Sequence, residues 1–422
     1  MALPSPVVAA AGEVEDGGAR PRFEVADVVR AYVDECLRTH RGTRAQRRVL
    51  RAIARCRTAA LGGHVEQCDA CGQRRIAYNS CRNRHCPKCQ GKETAHRMAA
   101  EQAMLLPVPY FHVVFTLPHA LNALVRVNRR RLYGLLFRAA AATLRTVARD
   151  PRHLGAELAV TMVLHTWGQT LEEHYHVHCV VSGGGLSLDG RAWVPVPKRK
   201  RRTGKRRRPF LFPVRALSQV FRGKYLAALE RADKREKLRC AGQSGALAHP
   251  VPWQALIDCL RRTEWVVYAK PPFGGSEQVL TYLSRYTHRV AISNRRILSL
   301  EGGLVRFAYR DYADHHRRKE MSLPASEFLR RFLQHVVPKG LMRIRHYGVT
   351  ANCRRQEKLG RCRELLGHVQ PAPAADPNPA LPTPCNDSPV PSDSGTARCP
   401  SCGGPMRVIE IILPSAAPHD TS

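Results

Sequence analysis

The 422-residue sequence predicts an α+β fold on three observations: helically periodic stretches alternating with short β-branched runs, a cysteine-dense segment near the start, and an apolar strand carrying histidines. Hydrophobic residues make up 44% of the chain and aromatic residues 6%, which suits a folded core in a chain long enough for two or three domains. Lys and Arg number 68 against 34 Asp and Glu, and this net charge of +34 favours a polyanionic partner, DNA or RNA, through counterion release. No apolar run reaches the roughly 18 to 20 residues needed to span a bilayer. The start, "MALPSPVVAAAGEVEDGG", lacks the basic residues and apolar core of a signal peptide, so a cytoplasmic protein with no membrane partner is expected.

Residues 1–21 are expected to be disordered. Apolar residues at helical spacing over 22–60, with basic residues on the opposite face, predict one or two helices leading into a metal-binding module. In "HVEQCDACGQRRIAYNSCRNRHCPKCQ", the pairs Cys68, Cys71 and Cys86, Cys89 are separated by 14 intervening residues, a spacing that suits one four-thiolate Zn2+ site. Cys81 and His85 could complete a second Zn2+ site with Cys56 and His64, or simply pack around the first ion. The zinc module is expected to end near residue 92, and 93–106 reads as a helix. Beyond it, "YFHVVFTLP" predicts a strand over 110–118, followed by a helix over 119–149, a strand over 157–165, and the histidine strand, which "SGGGLSLDG" is expected to end as a turn. The block "KRKRRTGKRRR", 198–208, is too densely charged for a core and reads as a solvated loop. A helix over 214–236, strands over 264–270 and 304–312, and a short amphipathic helix in "PASEFLRRFLQHV" follow. The Pro, Ala, Ser and Asp of 370–398 predict a disordered linker, after which Cys399 and Cys402 of "CPSCGG" offer half a zinc ribbon. Its other half is not evident, though Cys353, Cys362 and Cys385 are available.

The histidine strand, "HYHVHC", carries the chemistry. Alternation puts His174, His176 and His178 on one face, and the apolar run after them implies burial, where unpartnered imidazoles would be costly. In "YLSRY", Tyr282 and Tyr286 stand four apart and share a helix face. In a basic protein the two features suggest one reaction: a divalent cation, Mg2+ or Mn2+, held by His176 and His178, polarises a DNA phosphate that a tyrosine oxygen attacks. Gln278, Glu277 and His174 are candidates for the third ligand. Arg285, Arg289, Arg295 and Arg296 surround the tyrosines and could clamp phosphates, although a solvated helix face would look the same.

The segments "CRTAALGGHVEQC", "YNSCRNRHCPKCQ", "FTLP", "LHTWGQTLEEHYHVHCVVSGGGLSLDG", "YLSRYTHRVAISNRRI" and "RIRHYG" resemble, in order, the rolling-circle transposases of the insertion sequence 91 family. That resemblance implies an N-terminal zinc-binding domain, 22–106, and a catalytic domain, 107–365, with a ferredoxin-like sheet of the histidine-hydrophobic-histidine (HUH) endonuclease class. Within the catalytic domain 198–208 looks like an insertion; beyond it, 366–398 is expected to be a disordered linker and 399–422 a CxxC tail. The resemblance also implies metal ligation by His176 and His178, nucleophiles at Tyr282 and Tyr286, single-stranded DNA as substrate and a 5′-phosphotyrosine intermediate. Tyr175 stands where relatives commonly carry proline. Two other readings compete: a DNA-binding regulator without catalysis, and a metal-dependent phosphoesterase in which water attacks.

Overall fold

A computed structural model describes residues 21–89, 100–197, 211–270, 273, 278–279, 291–312, 314–367 and 398–415. The expected disordered start, the basic block at 198–208 and nearly all of the expected linker lie outside the described residues.

Two helices open the chain, α1 (Val25–Thr39) and α2 (Arg44–Arg55). Each begins with a reciprocal cap, Glu24 with Asp27 and Thr43 with Gln46, which satisfies backbone N–H groups that a helix start leaves open. Their apolar faces, including Val28, Val29, Leu50 and Ile53, are buried. Next come β1 (Gly63–Cys68) and β2 (Arg74–Tyr78), an antiparallel pair.

The main sheet begins at β3 (Tyr110–Thr116). The helix expected over 119–149 is broken into α3 (Asn122–Val127) and α4 (Arg129–Arg149). Asn128 sits at the break, where its Nδ2 donates to Leu124 O at 3.0 Å and Arg239 O at 2.7 Å. Two long strands follow, β4 (Ala156–Trp167) and β5 (Glu173–Ser187), then the short β6 (Trp193–Pro195), α5 (Val214–Lys234), α6 (Pro250–Arg262) and β7 (Val267–Ala269). A second sheet holds β8 (Ile297–Glu301), β9 (Leu304–Asp311) and β10 (Arg317–Pro324). The chain then forms α7 (Ala325–Gln334), β11 (Ile344–Gly348), α8 (Arg355–Leu365) and finally β12 (Met406–Ile412).

Among the described residues all strand pairings are antiparallel, and the main sheet runs β11-β4-β5-β3-β7 with β6 added on β5. Its two faces are chemically different. Phe111, Val113 and Phe115 of β3, with Tyr175, Val177, Cys179 and Val181 of β5, meet Leu132, Leu136, Phe137, Phe221 and Tyr225 of the helices in the largest apolar core. The opposite face carries histidines. A second core joins α1 and α2 to α7 and the second sheet through Val28, Ile53, Phe307, Phe328 and Phe332.

The histidine strand ends at Ser187, inside the segment "SGGGLSLDG" expected to close it, but beyond that segment's three consecutive glycines. β5 runs through them because neighbouring strands come too close there for a side chain. A Cβ on Gly183 would lie 2.7 Å from Pro109 O, on Gly184 2.7 Å from the Trp193 indole nitrogen, and on Gly185 2.7 Å from Glu157 O. Gly185→Ala should therefore cost about 2 kcal/mol by overpacking, whereas Gly223→Ala, in helix α5 with nothing within 4 Å, should gain about 0.5 kcal/mol. Urea denaturation of the two variants beside the wild type checks both signs.

Candidate active site and metal centres

Strand register builds the histidine site. The β4 to β5 hairpin pairs His165 directly with His176, and His178 pairs with Val163, so all three imidazoles leave the same face of adjacent strands. The ligand-capable atoms of His165, His176 and His178 lie within 4.8 Å of one another, and each residue is no more than 5% exposed. The Nε2 atoms of His176 and His178 face each other at 3.0 Å. His176 Nδ1 lies 2.9 Å from His174 O and must donate to it, since a carbonyl only accepts; in the neutral ring this leaves Nε2 with its lone pair toward the cluster. His178 is held from behind by His112, whose Nε2 lies 2.9 Å from its Nδ1 with the rings stacked. Second-layer bonds of this kind orient ligating imidazoles. His165 stacks on Trp167 at 4.5 Å between ring centroids.

Burial pushes His176 and His178 well below the ordinary value of 6.5, with neighbouring imidazoles adding to the shift. Both rings are thus neutral at pH 7, the form that binds a cation. Buried polar atoms beside the cluster also lack partners: Thr116 Oγ1, in register with His176, and His174 Nε2 have no hydrogen bond among the described residues. Three lone-pair donors bordered by unsatisfied polar atoms fit a cation with open positions.

The same face receives a later part of the chain. Val279 is fully buried with Tyr110, Val163 and Val180, and Phe273 packs on that cluster and lies 6.4 Å from the His112 ring. On the other face, Glu173 is buried with Arg126, which approaches to 2.5 Å, and accepts the Tyr175 hydroxyl at 2.7 Å. Burial opposes the charge on Glu173, but Arg126 and Tyr175 outweigh it and hold the carboxyl below its usual range. The intervening hairpin tip is gripped from several sides. Arg296 donates to Gln169 O at 2.5 Å, Arg331 to Thr170 O at 3.1 Å, and Leu171, buried in the second core, has a left-handed backbone with φ 62°.

Eight thiols form two clusters, Cys56, Cys81, Cys86, Cys89 and Cys68, Cys71, Cys399, Cys402, each within 4.8 Å. In the first, Cys89 Sγ lies 3.3 Å from Cys56 Sγ and 3.5 Å from Cys81 Sγ. In a tetrahedral site with Zn–S near 2.3 Å, sulfurs stand roughly 3.8 Å apart, so the thiols are arranged closely enough to fit. This grouping corrects the expected one. Cys68 and Cys71 do not join Cys86 and Cys89, and neither His64 nor His85 belongs to a cluster. The β1 to β2 hairpin carries the first pair away from the second, His64 turns to Glu66 at 3.1 Å, and His85 bonds Asn83 Oδ1 at 3.2 Å and accepts from Val337 N at 3.3 Å.

Two family models match this chain. Residues 28–117 match one described as "Transposase zinc-binding domain", and residues 159–357 match one described as "Putative transposase". A protein of Sinorhizobium fredii described as "Putative transposase y4qJ" is 52% identical over 357 residues, which is 84% of this chain and 87% of that one. The chain belongs to the insertion sequence 91 family of transposases. The transposase for insertion sequence element IS801 of Pseudomonas savastanoi pv. phaseolicola is 29% identical over 321 residues, 75% of this chain and 73% of its own. No solved structure matches the chain. Membership makes this a zinc-binding DNA transposase, a DNA-cleaving and strand-transfer enzyme with DNA as partner. No helix among the described residues is long and apolar enough to cross a membrane.

The transposase brings His176 and His178 together with His165, which stands at the end of the strand expected over 157–165. The missed signal was the hairpin itself: folding the two expected strands about Thr170 sets His165 opposite His176. His174, one of the third-ligand candidates, is not in the cluster, because its Nδ1 turns to His119 Nε2 at 3.3 Å. Gln278 is exposed and, like Val279, helical. Tyr282, Tyr286, Glu277, Arg285 and Arg289 lie outside the described residues. Arg295 is exposed, while the half-buried Arg296 donates to Ala308 O at 2.7 Å and to Gln169 O and lies over the Phe307 ring.

His335 supplies a pH test of the core around the hairpin tip. It is 1% exposed, donates from Nε2 to Leu171 O at 3.0 Å, and is shifted by burial to about 4. The unfolded chain protonates this group near pH 6.5, so between about pH 6.5 and 4 the unfolded state binds more protons and stability falls as pH falls. Urea titrations at pH 7.5, 6 and 5 should show that decline. In His335→Gln its slope below pH 6 should be shallower by about 1.4 kcal/mol per pH unit.

Proposed function

We propose that this transposase is an HUH-type endonuclease that nicks one DNA strand, keeps the 5′ end as a phosphotyrosine on Tyr282 or Tyr286, and passes it to a new 3′-hydroxyl in rolling-circle transposition. The observation that carries this reading is the site geometry: three buried, neutral imidazoles on the sheet face against which Val279, three residues before Tyr282 in sequence, is packed. An antiparallel sheet with its histidines on the central strand supports the ferredoxin-like assignment, with 22–106 as the zinc-binding domain and 107–365 as the catalytic one.

His165, His176 and His178 would hold the catalytic cation, Mg2+ or Mn2+, which when bound would supply positive charge to a phosphate oxygen. The protein does the rest by positioning. A tyrosine hydroxyl, with an ordinary pKa near 10, attacks phosphorus in line as its proton leaves; the bond to the 3′-oxygen breaks, and that oxygen departs as a hydroxyl. The phosphotyrosine retains the energy of the broken phosphodiester, so the return attack by a 3′-hydroxyl needs no nucleotide hydrolysis. A second tyrosine allows another cleavage while the first link persists. Cys56, Cys81, Cys86 and Cys89 hold a structural zinc ion that ties the helices α1 and α2 to the chain that follows.

Incubation with single-stranded element ends and Mn2+ should give a protein–DNA adduct that survives denaturant, and Tyr282→Phe/Tyr286→Phe should abolish it. An undiminished adduct in that double variant would overturn the assignment, and cleavage leaving a free 5′-phosphate would mark water as the nucleophile. His165→Asn should weaken Mn2+ binding, measured by calorimetry, by about tenfold or more.

A further inference from the structure

The second thiol cluster lies across the two ends of the chain, and residues 398–415 fall outside both stretches that match transposase family models. We propose that Cys68, Cys71, Cys399 and Cys402 bind a second zinc ion, which makes the C-terminal segment a working part of the N-terminal zinc module.

Four independent features meet here. The sulfurs are set for one ion: Cys68 Sγ is 3.4 Å from Cys402 Sγ and Cys71 Sγ is 3.6 Å from Cys399 Sγ, far beyond a disulfide bond and near the separation in a tetrahedral thiolate site. Each CxxC pair sits on a tight backbone turn, closed by Gly72 N to Cys68 O at 3.0 Å in one and Gly403 N to Cys399 O at 2.9 Å in the other. The turns also fit each other closely. A Cβ at Gly404 would stand 2.8 Å from Ala70 Cβ and 3.1 Å from Cys68 Sγ, so only glycine admits this approach. Strand β12 pairs with β1 from Gly63↔Ile412 to Cys68↔Met406, and Asp69 N donates to Pro405 O at 3.0 Å.

Apolar burial does not explain that union. Among the described residues the cluster beneath the turns contains only Cys68, Cys399 and Met406 as buried residues, and Val408, Ile411 and Leu413 of the tail are exposed. A three-stranded sheet with so little core is marginal on its own, and a metal cross-link is the common remedy in small folds. Zinc with four thiolates supplies it, and binding of the ion is then coupled to docking of the tail.

The test is zinc content of the purified full-length protein and of Cys399→Ser/Cys402→Ser. The double variant should hold one zinc ion fewer per chain, and cobalt substitution should show a matching loss of thiolate-to-metal charge transfer. Unchanged zinc content in the folded variant overturns the proposal. Should the variant fail to fold, a protease site inserted between Ser392 and Asp393 of the otherwise native chain gives a second measurement. After cleavage, the fragment bearing Cys399 and Cys402 should co-elute with the body and separate when a chelator is added. Separation without chelator, or retention after all zinc has been removed, overturns the proposal.

Discussion

The register of one hairpin governs this transposase. Because β4 and β5 pair with His165 opposite His176, three imidazoles converge on a face from which water is excluded. A slip of one residue would turn His165 into the apolar core and break the set. The register is held at both ends. At one end the glycines let β5 lie against Pro109, Trp193 and Glu157. At the other, Leu171 anchors the tip in the core shared by α1, α2 and α7, while Arg296 and Arg331 bind the tip carbonyls.

That anchoring links the zinc module to the site. Cys56 and Cys86 belong to the same buried cluster as Leu171, Phe328 and Phe332. Loss of order around the first thiol cluster would therefore loosen the packing that holds the hairpin tip. His335 ties the end of α7 to the hairpin, touching Leu171 O with one nitrogen and Thr166 Oγ1 with the other at 3.2 Å, while Gln46 of α2 donates to Leu333 O of α7 at 2.8 Å. The zinc module is thus packed into the support of the histidine strand.

Charge and burial divide the sheet. Its helix-covered face buries an acid only where Arg126 and Tyr175 compensate Glu173. Its histidine face keeps neutral imidazoles by desolvation, which leaves lone pairs directed at one point. A site of this kind suits phosphate chemistry because a dry surrounding strengthens the interaction between a bound cation and a developing negative charge.

By itself the sequence determined whatever depends on neighbours along the chain. Alternation put His176 and His178 on one face, helical periodicity marked most helices, and each CxxC announced a thiol turn. The tertiary structure alone decided partnerships. Three CxxC pairs with Cys56 and Cys81 can be combined in several ways, and hairpin geometry joined Cys68 and Cys71 to a segment more than three hundred residues away instead of to Cys86 and Cys89. His165 became a member of the cluster only through cross-strand register, and Arg296 gained its backbone partners only when Gln169 and Ala308 came beside it. The physical reason is common to all three: periodicity is a property of adjacent residues, whereas a ligand set or a buried ion contact is settled by which distant backbones can approach closely enough to pair.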